Sequence, residues 1–438
     1  MTMNFDRRAL LSGFGIGAAA LATPVWAKKK PKKGMAPMGA MDHATHTNIQ
    51  AMLNDWVSSK RVPGAVASIG KGLAANQYFS AGVLGTGSTT AMSPDSLFRA
   101  YSQTKPVTGI AAMMLIEDGK LKLDQNIADF IPAFANPKVL TNPDKSLDAR
   151  AATQPITVRN LLTHTAGLGY SIVTKGPLLD AYNKLGILPG QVSRRDLPGV
   201  PKFAIAPSLQ EFADRLGTLP LVADPGAKWS YSVSLDLLGR VIEVASGMAF
   251  DAFLAERLFK PLGMTSTFFQ VPASEASRLT DNFFQFGSNA FPIDPAKDSI
   301  YLDKPPFPFG GAGLVTTARD WDRFQLMLMG EGTIGDLRIM KAETAKLAMS
   351  NILPPGAVVD GFVKGQGFGA GGRVTIASGS NGEGIGTFGW GGAASTIGWV
   401  DRTKGLRASG WVQLMTQGDQ KFPGDLAQAI YGKAGTGA

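Results

Sequence analysis

The sequence predicts a fold of the α/β (α+β) class, in which an antiparallel sheet is built from both chain ends and a mostly helical part is inserted between them. Three observations support this prediction. Strand-like segments lie near the start of the folded part, helical patterns dominate the middle, and glycine-broken strand patterns return near the end. We therefore expect a sheet part at about 48–100 and 310–435, and a helical part at about 101–309.

Each element follows from the spacing of its apolar residues. The segment "IQAMLNDWVSSK" has helical spacing, and "GAVASIGK" and "NQYFSAGVLG" predict two strands joined by a turn. Further helices are predicted at "PVTGIAAMMLIEDGKL", "VRNLLTHTAGL", "SLQEFADRL", "SLDLLGRVIEVASG", "AFDAFLAERLFKPLG" and "TARDWDRFQLMLMG". Strands are then predicted within "GFVKGQGFGAGG", "GTFGWGGAAST" and "IGWVDRTKGLRASGWVQLM", before a last amphipathic segment, "GDLAQAIYGK".

A cleft is expected where the sheet part meets the helical part, because binding sites commonly lie between such units. Two long stretches, Ala135–Pro155 and Ile172–Pro207, have no periodic pattern. Their length and composition predict loops that cross over this cleft.

Residues 1–27 predict an export signal. "DRRALLSGFGIGAAALATPVWA" joins a twin arginine to a moderately apolar run and a small-x-small pattern at Val25-Trp26-Ala27. This arrangement is typical of a Tat-type signal and predicts a periplasmic or secreted bacterial protein without a membrane span after cleavage; an uncleaved anchor is the alternative. Residues 28–47 are basic and then rich in Pro, Gly and Met, which predicts a flexible linker before a catalytic domain at 48–435.

The composition excludes several kinds of chemistry. The 438 residues include no Cys, so disulfides, thiol nucleophiles and thiolate metal sites are excluded. Of the three His residues, His43 and His46 precede the expected folded part, which leaves only His164. We therefore expect no metal and no cofactor. Most of the formal net charge of +9 lies in residues up to Lys33, so we expect no nucleic-acid partner.

Ser102 and Lys105 stand at the start of the helical segment "YSQTKPVTGIAAMMLIE". Residues with this spacing share a helix face, so Lys105 Nζ can reach Ser102 Oγ. A serine nucleophile needs an adjacent base, and a lysine serves when its surroundings keep it neutral. Pro106 places Ser102 in the first turn, where free backbone N–H groups can stabilise an oxyanion. Alone, the pattern also fits the polar first turn of a core helix.

Two later motifs offer partners for this pair. Tyr231, in "DPGAKWSYSVSLDLLGRVIE", could pass a proton between Ser102 and a leaving group; the alternative is an interface tyrosine that caps the next helix. In "FGWGGAAST", Gly391 and Gly392 let the backbone approach a ligand, so that the Ala393 N–H could face a substrate carbonyl. The alternative there is an ordinary glycine-rich edge strand.

In this order, Ser102-x-x-Lys105, Tyr231-Ser232-Val233 and Trp390-Gly391-Gly392 resemble the serine β-lactamase and penicillin-binding-protein family, in particular its class C-like esterases (family VIII carboxylesterases). Supporting stretches are "LLTHTAGL", "LPLVADPGAKWSYS", "KPLGMTSTFF" and "GGAGLVTTARDWDRF". The resemblance implies a β-lactamase/transpeptidase-like fold, acylation of Ser102, and base and acid work shared by Lys105 and Tyr231. It also implies an oxyanion hole formed by the backbone N–H groups of Ser102 and Ala393.

The sequence departs from the β-lactamase pattern at two positions. β-Lactamases typically have asparagine where Val233 stands and Lys-Thr-Gly where Trp390-Gly391-Gly392 stands. The missing lysine would bind a substrate carboxylate, and the missing asparagine would supply an amide contact. Tryptophan offers apolar area instead, so we expect Trp390, Gly391, Gly392 and Val233 to form a binding surface for neutral esters.

These observations predict a serine carboxylesterase that cleaves a small-molecule ester through an acyl-enzyme intermediate. The first alternative is a β-lactam or amide hydrolase, a DD-peptidase-like enzyme or an acyltransferase that uses the same residues. The second alternative is a non-catalytic binding or sensor domain. The chain has no G-x-S-x-G motif, and His164 is expected to be structural, which argues against an α/β-hydrolase.

Overall fold

The computed structural model describes residues 43–196, 203–287, 289–359, 365–377, 382–418 and 420–432. The export signal expected at 1–27 lies outside these residues, as does most of the expected linker at 28–47. Within the described residues, the helix His43–Ser58 covers the end of the range expected to be linker.

Helices and short strands alternate along the described chain. The helices are α1 (His43–Ser58), α2 (Thr104–Glu117), α3 (Val158–Leu162), α4 (Gly176–Leu185), α5 (Leu209–Gly217), α6 (Ser234–Ser246), α7 (Phe250–Leu254), α8 (Lys260–Leu262), α9 (Ala318–Met329), α10 (Ala342–Ala348) and α11 (Lys421–Tyr431). The strands are β1 (Gly64–Lys71), β2 (Gln77–Gly82), β3 (Phe98–Arg99), β4 (Lys138–Leu140), β5 (Ala149–Ala151), β6 (Asn282–Phe286), β7 (Asn289–Asp294), β8 (Val315–Thr316), β9 (Thr333–Ile334), β10 (Leu337–Arg338), β11 (Gln366–Phe368), β12 (Arg373–Thr375), β13 (Phe388–Gly391), β14 (Ile397–Asp401), β15 (Leu406–Trp411) and β16 (Leu414–Thr416).

The main sheet joins the two ends of the chain, which confirms the predicted fold class. Its order is β11-β12-β13-β14-β15-β1-β2, and every pairing is antiparallel. Ala67 of β1 packs with Trp56 of α1 and Phe422 of α11, whereas the next residue back, Val66, joins the core on the other face. Successive strand residues point to opposite faces, and both faces of β1 are covered, so the strand is buried along nearly its whole length.

Helix α2 is the centre of the larger core. Its residues from Thr104 to Leu115 are all buried, because helices α6 and α10 cover the sides that do not face the sheet. A helix that is apolar all round is expected in such a position. The first turn of α2 is therefore fixed rigidly at the junction of the sheet and the helices.

The middle part contains more strand than its sequence predicts. Strands β6 and β7 form a hairpin, and β16 from the end of the chain pairs with β6 in parallel, so the boundary near residue 309 does not separate sheet from helix. The prediction of plain loops was also wrong. Ala135–Pro155 contains the β4–β5 hairpin, and Ile172–Pro207 contains α4, which ends at Gly186 in a left-handed conformation.

Among the residues that the structure describes, no helix combines the length and the apolar character that crossing a bilayer requires.

Candidate active site

Ser102 lies in a tight turn, Tyr101–Gln103, that leads directly into α2. Tyr101 has a φ of 46°, in the left-handed region that residues with side chains rarely adopt. Its hydroxyl accepts a hydrogen bond from Asn282 Nδ2 at 2.8 Å, and its ring meets the Tyr301 ring edge-on. Buried contacts thus hold the backbone in the unusual conformation that presents Ser102 at the partly exposed start of the helix.

Lys105 lies on the first turn of α2 and is fully buried. Its Nζ donates to Ser102 Oγ at 3.1 Å and to the carbonyl oxygen of Gly311 at 2.8 Å. The same nitrogen lies 4.7 Å from the ring centroid of Tyr231 and 5.5 Å from that of Tyr170. The lysine is therefore directed at the serine hydroxyl from a water-poor pocket of carbonyl oxygen and aromatic faces.

Tyr231 precedes α6 and is 8% exposed. Its hydroxyl accepts a hydrogen bond from Trp390 Nε1 at 3.2 Å. The structure thus brings Ser102, Lys105, Tyr231 and Trp390 together from three distant parts of the chain. The Tyr231 ring lies against Lys105, and the cap position of α6 belongs to Val233.

The end of β13 packs against the backbone that precedes Ser102. A Cβ at Gly392 would lie 2.2 Å from the carbonyl oxygen of Ala100, so only glycine permits this approach. Thr396 Oγ1 donates to the same carbonyl at 3.2 Å. The turn after β13 is therefore fixed beside the candidate nucleophile, and its Ala393 packs against the apolar cluster that includes Tyr101.

The side chain of Val233 does not lie on the substrate-binding surface that the sequence predicts for it. Its side chain is fully buried in the larger core, and its backbone N–H donates to Gly169 O at 3.2 Å. It therefore offers no surface to a substrate in this structure. The cause is local, because the turn into α6 directs Tyr231 toward Lys105 and Trp390, and Val233 into the core.

Tyr170 is a site residue that the sequence did not reveal. It is buried in the segment after α3, and its ring centroid lies 5.0 Å from that of Tyr231. Burial raises the pKa of the Tyr170 hydroxyl well above its usual range, and a hydrogen bond with Ser102 acts in the opposite direction. A second phenol thus contacts the candidate nucleophile. In the sequence it stands two residues after the "LLTHTAGL" stretch, without a pattern that marks it.

Asp236 is the second residue that was missed. It lies in the first turn of α6, is fully buried, and accepts a hydrogen bond from the Gly311 N–H at 2.8 Å. Burial raises the pKa of its carboxyl to about 7, and the positive charge of Lys105 limits the rise. An aspartate inside the apolar stretch "SLDLLGRVI" is the signal that could have identified it, since buried carboxylates are rare without a partner.

His164 is a structural residue beneath the site. Its Nδ1 lies 3.0 Å from Ser232 Oγ and accepts from the Ser232 N–H at 3.3 Å, and its ring centroid is 4.8 Å from that of Tyr231. Burial, with a smaller effect from the charge of Lys105, holds the pKa of His164 well below its usual range. A neutral imidazole thus supports the segment that carries Tyr231. Within the described parts of the chain, no group of His, Asp and Glu is arranged to hold a metal ion.

Comparison with known proteins relates the chain to one family. The family described as Beta-lactamase matches residues 38–431. A protein of Mycobacterium tuberculosis is 32% identical over 316 residues, which cover 70% of this chain and 74% of that protein. Esterase EstB of Burkholderia gladioli is 31% identical over 216 residues, 49% of each chain. Lovastatin esterase of Penicillium rubens is 28% identical over 355 residues, 77% of this chain and 84% of the relative.

Solved structures share the fold. EstCE1, described as a hydrolase with promiscuous acyltransferase activity, matches with a TM-score of 0.72 at 24% identity and covers 89% of this chain and 99% of its own. Simvastatin synthase from Aspergillus terreus matches with a TM-score of 0.72 at 22% identity and covers 91% of this chain and 100% of its own. The architecture predicted from the sequence is therefore that of known enzymes.

Proposed function

We propose that this chain, a member of the beta-lactamase family, is a serine carboxylesterase that cleaves small neutral esters through an acyl-enzyme intermediate. Its relatives in that family include esterases and an acyltransferase. The observation that carries this proposal is the buried Lys105 Nζ, 3.1 Å from Ser102 Oγ.

In the first half of the reaction, Ser102 Oγ attacks the ester carbonyl carbon while its proton moves to the neutral Lys105 amine. The negative charge that develops on the carbonyl oxygen is stabilised by the backbone N–H groups of Ser102 and Ala393. As the carbon–oxygen bond to the alcohol breaks, the alcohol oxygen takes a proton from the Lys105–Tyr231 pair. The products of this half are the free alcohol and an acyl group on Ser102.

In the second half, a water molecule replaces the alcohol. Tyr231 or Lys105 takes one proton from the water as its oxygen attacks the acyl carbon, and Ser102 Oγ leaves with a proton. The Trp390 N–H donates to the Tyr231 hydroxyl and so fixes the position of that oxygen during these transfers.

The walls of the site favour an uncharged acyl or alcohol group. Phe368 and Trp390 pack edge to face with 5.3 Å between their ring centroids, and Trp229 stacks on Tyr231 at 6.2 Å. A tryptophan stands where β-lactamases of this family typically place a lysine for the substrate carboxylate. Carboxylate-bearing lactams and peptides are therefore expected to be poor substrates.

Acyl transfer is the second candidate function. The same acyl-enzyme forms, and an alcohol attacks it in place of water. EstCE1, a hydrolase with promiscuous acyltransferase activity, supports this candidate, as does the aromatic lining of the site in this chain. Added short alcohols should then divert part of the acyl group from the free acid to a new ester, as measured by chromatography of the products.

Export by a Tat-type signal in residues 1–27 and a periplasmic or secreted location remain part of the proposal. Sequencing the N-terminus of protein recovered from the periplasm and the medium of an expressing bacterium would test them, with a twin-lysine variant of Arg7 and Arg8 as the control.

The function itself is tested with nitrophenyl esters of increasing acyl length and one cephalosporin. We expect turnover of the short esters, little or no turnover of the cephalosporin, and no turnover by Ser102→Ala. A folded wild-type protein that neither hydrolyses these esters nor reacts with a fluorophosphonate probe would contradict the proposal and favour a binding or sensor domain.

A further inference from the structure

We infer that Asp236 is a positioning residue for Lys105: it fixes the backbone that holds the lysine, and its carboxylate provides the counter-charge for the proton that the lysine takes from Ser102. This inference rests on the proposed function, because it assigns a partner to the proposed base. Asp236 lies on α6, whereas Ser102 lies just before α2 and Lys105 lies in the first turn of α2.

A single glycine links the carboxyl to the lysine. The Gly311 N–H donates to Asp236 Oδ1 at 2.8 Å, and the Gly311 carbonyl accepts from Lys105 Nζ at 2.8 Å. A Cβ at Gly311 would lie 2.5 Å from Asp236 Oδ2, so a side chain there would displace the carboxyl. The glycine and the aspartate thus form one fitted unit that sets the position of the ammonium group.

The burial of the carboxyl argues for an electrostatic role as well. Asp236 and Lys105 are both 0% exposed, and Asp236 Oδ2 has no hydrogen-bond partner within the part of the chain that the structure describes. Leaving a carboxyl oxygen buried in this way is costly unless a charge compensates it. Lys105, from α2, is the cation that acts on Asp236, and Tyr170, from the segment after α3, is the second titratable group that faces it.

The counter-charge of Asp236 matters when Ser102 transfers its proton to Lys105. As the bond from Ser102 Oγ to the ester carbon forms, the Oγ–H bond breaks and Lys105 gains a positive charge in a pocket that holds little water. The Asp236 carboxylate stabilises that ammonium group. The Asp236 carboxyl, whose pKa burial raises to about 7, gives this stabilisation only when it is ionised, so the stabilisation weakens as the pH falls.

Asp236→Asn separates the charge from the hydrogen bond, since the amide oxygen can still accept from the Gly311 N–H. For this variant we expect the acidic limb of the pH profile of kcat/KM to move to lower pH, because the Asp236 carboxyl, whose pKa is about 7, no longer titrates beside Lys105. The plateau should fall by about tenfold, because the ammonium formed in the transition state is less stabilised. Loss of a purely structural residue would lower the plateau without moving the limb.

The matched control is Asp320→Asn. Asp320, in the first turn of α9, is a buried carboxyl whose pKa burial also raises, and it accepts hydrogen bonds from the Ser266 N–H at 2.7 Å and from Thr267 Oγ1 at 2.9 Å. Its variant should keep the acidic limb of the wild type. An unchanged limb in a folded Asp236→Asn protein, or an equal shift in both variants, would overturn the inference.

Two further measurements keep the test decisive. If Asp236→Asn does not fold, Gly311→Ala, in which the added methyl group displaces the carboxyl, should move the limb in the same direction; no movement would overturn the inference.

If the wild type hydrolyses no ester, the proposed function fails separately. The pH dependence of fluorophosphonate labelling then decides the role of Asp236, because labelling requires only an activated Ser102.

Discussion

Two buried cations lie on either side of Ser102, and their surroundings differ. Arg99 on β3 and Lys105 on α2 are both 0% exposed. The Arg99 guanidinium donates from Nε to Asp294 Oδ2 at 2.7 Å and from its other nitrogens to Thr280 O at 2.6 Å and Ser299 Oγ at 3.0 Å. Lys105 donates to one carbonyl and to the Ser102 hydroxyl, and otherwise meets aromatic faces.

This difference separates a structural cation from a chemical one. Arginine does not lose its proton in proteins, so a guanidinium with a carboxylate and several carbonyl partners acts as an anchor. Lysine can lose its proton in a pocket that holds little water, and a hydroxyl is then its nearest proton source. Arg99 thus anchors this stretch of chain, whereas Ser102 and Lys105, a few residues later, carry the proposed chemistry.

The largest expected effect is on catalysis by the pair itself. Ser102→Ala and Lys105→Ala should each lower kcat/KM for a nitrophenyl ester by at least about a thousandfold, because nucleophile and base act as one unit. Lys122→Ala, which changes an exposed lysine beyond the same helix, is the control and should keep wild-type activity. Full activity in folded Ser102→Ala would show that another group is the nucleophile.

The comparison of the two cations predicts the opposite pattern for stability. Arg99→Met should lower the free energy of unfolding by about 3 kcal/mol or more, because it leaves Asp294 buried without its partner. Lys105→Met should change it less, since the buried carboxyl that it leaves, Asp236, has a raised pKa and can take up a proton. Urea unfolding of both variants measures the difference. An equal or larger loss in Lys105→Met would contradict the division of roles.

Removal of one hydroxyl tests the second proton carrier. Tyr231→Phe keeps the ring contacts and should lower kcat by about a hundredfold, within the usual contribution of a positioned acid or base. Tyr182→Phe, which removes another buried phenol, one that accepts from the Gly169 N–H at 2.9 Å, is the matched control. Similar small losses in both variants would assign Tyr231 to packing alone.

A smaller effect concerns the pH dependence of stability. The pKa of Asp236 is raised to about 7, so the folded protein keeps a proton that the unfolded chain releases near pH 4. The favourable contribution of this proton is therefore complete below about pH 4 and is lost as the pH rises toward about 7. Relative to the wild type, Asp236→Asn should gain stability as the pH rises through this window, by about 1.4 kcal/mol for each unit of the pKa shift. Unfolding curves at both pH limits measure it, and a constant difference would contradict the assignment.

The smallest expected effect is on selectivity. Trp390→Lys should shift the ratio of kcat/KM values toward a carboxylate-bearing ester by about tenfold, because a single exposed or half-exposed charge pair contributes little more than about 1 kcal/mol. Trp390→Phe is the control for loss of area and of the N–H donor. An unchanged ratio in Trp390→Lys would show that Trp390 does not set the charge preference.

Motif order in the sequence predicted the fold class and the grouping of Ser102, Lys105, Tyr231 and Trp390. These residues lie at element ends, where local patterns of glycine, proline and apolar spacing are informative. Helix α4 was missed because its short amphipathic pattern lies in a stretch rich in turn residues.

Long-range contacts set the limit of the sequence prediction. The pairing of β6 with β16 joins residues far apart in the chain, so the sequence of either strand does not reveal it. Tyr170 and Asp236 acquire their importance only from the folding of α3 and α6 against α2. The burial of Val233 likewise depends on which way the turn before α6 faces.

The most direct test of the central claim is to label the protein with a fluorophosphonate and locate the adduct by peptide mass spectrometry. We expect one adduct, on Ser102, formed rapidly in the wild type and about a thousandfold more slowly in Lys105→Ala. An adduct on a different residue, or equal labelling rates with and without Lys105, would contradict the assignment of Ser102 and Lys105 as nucleophile and base.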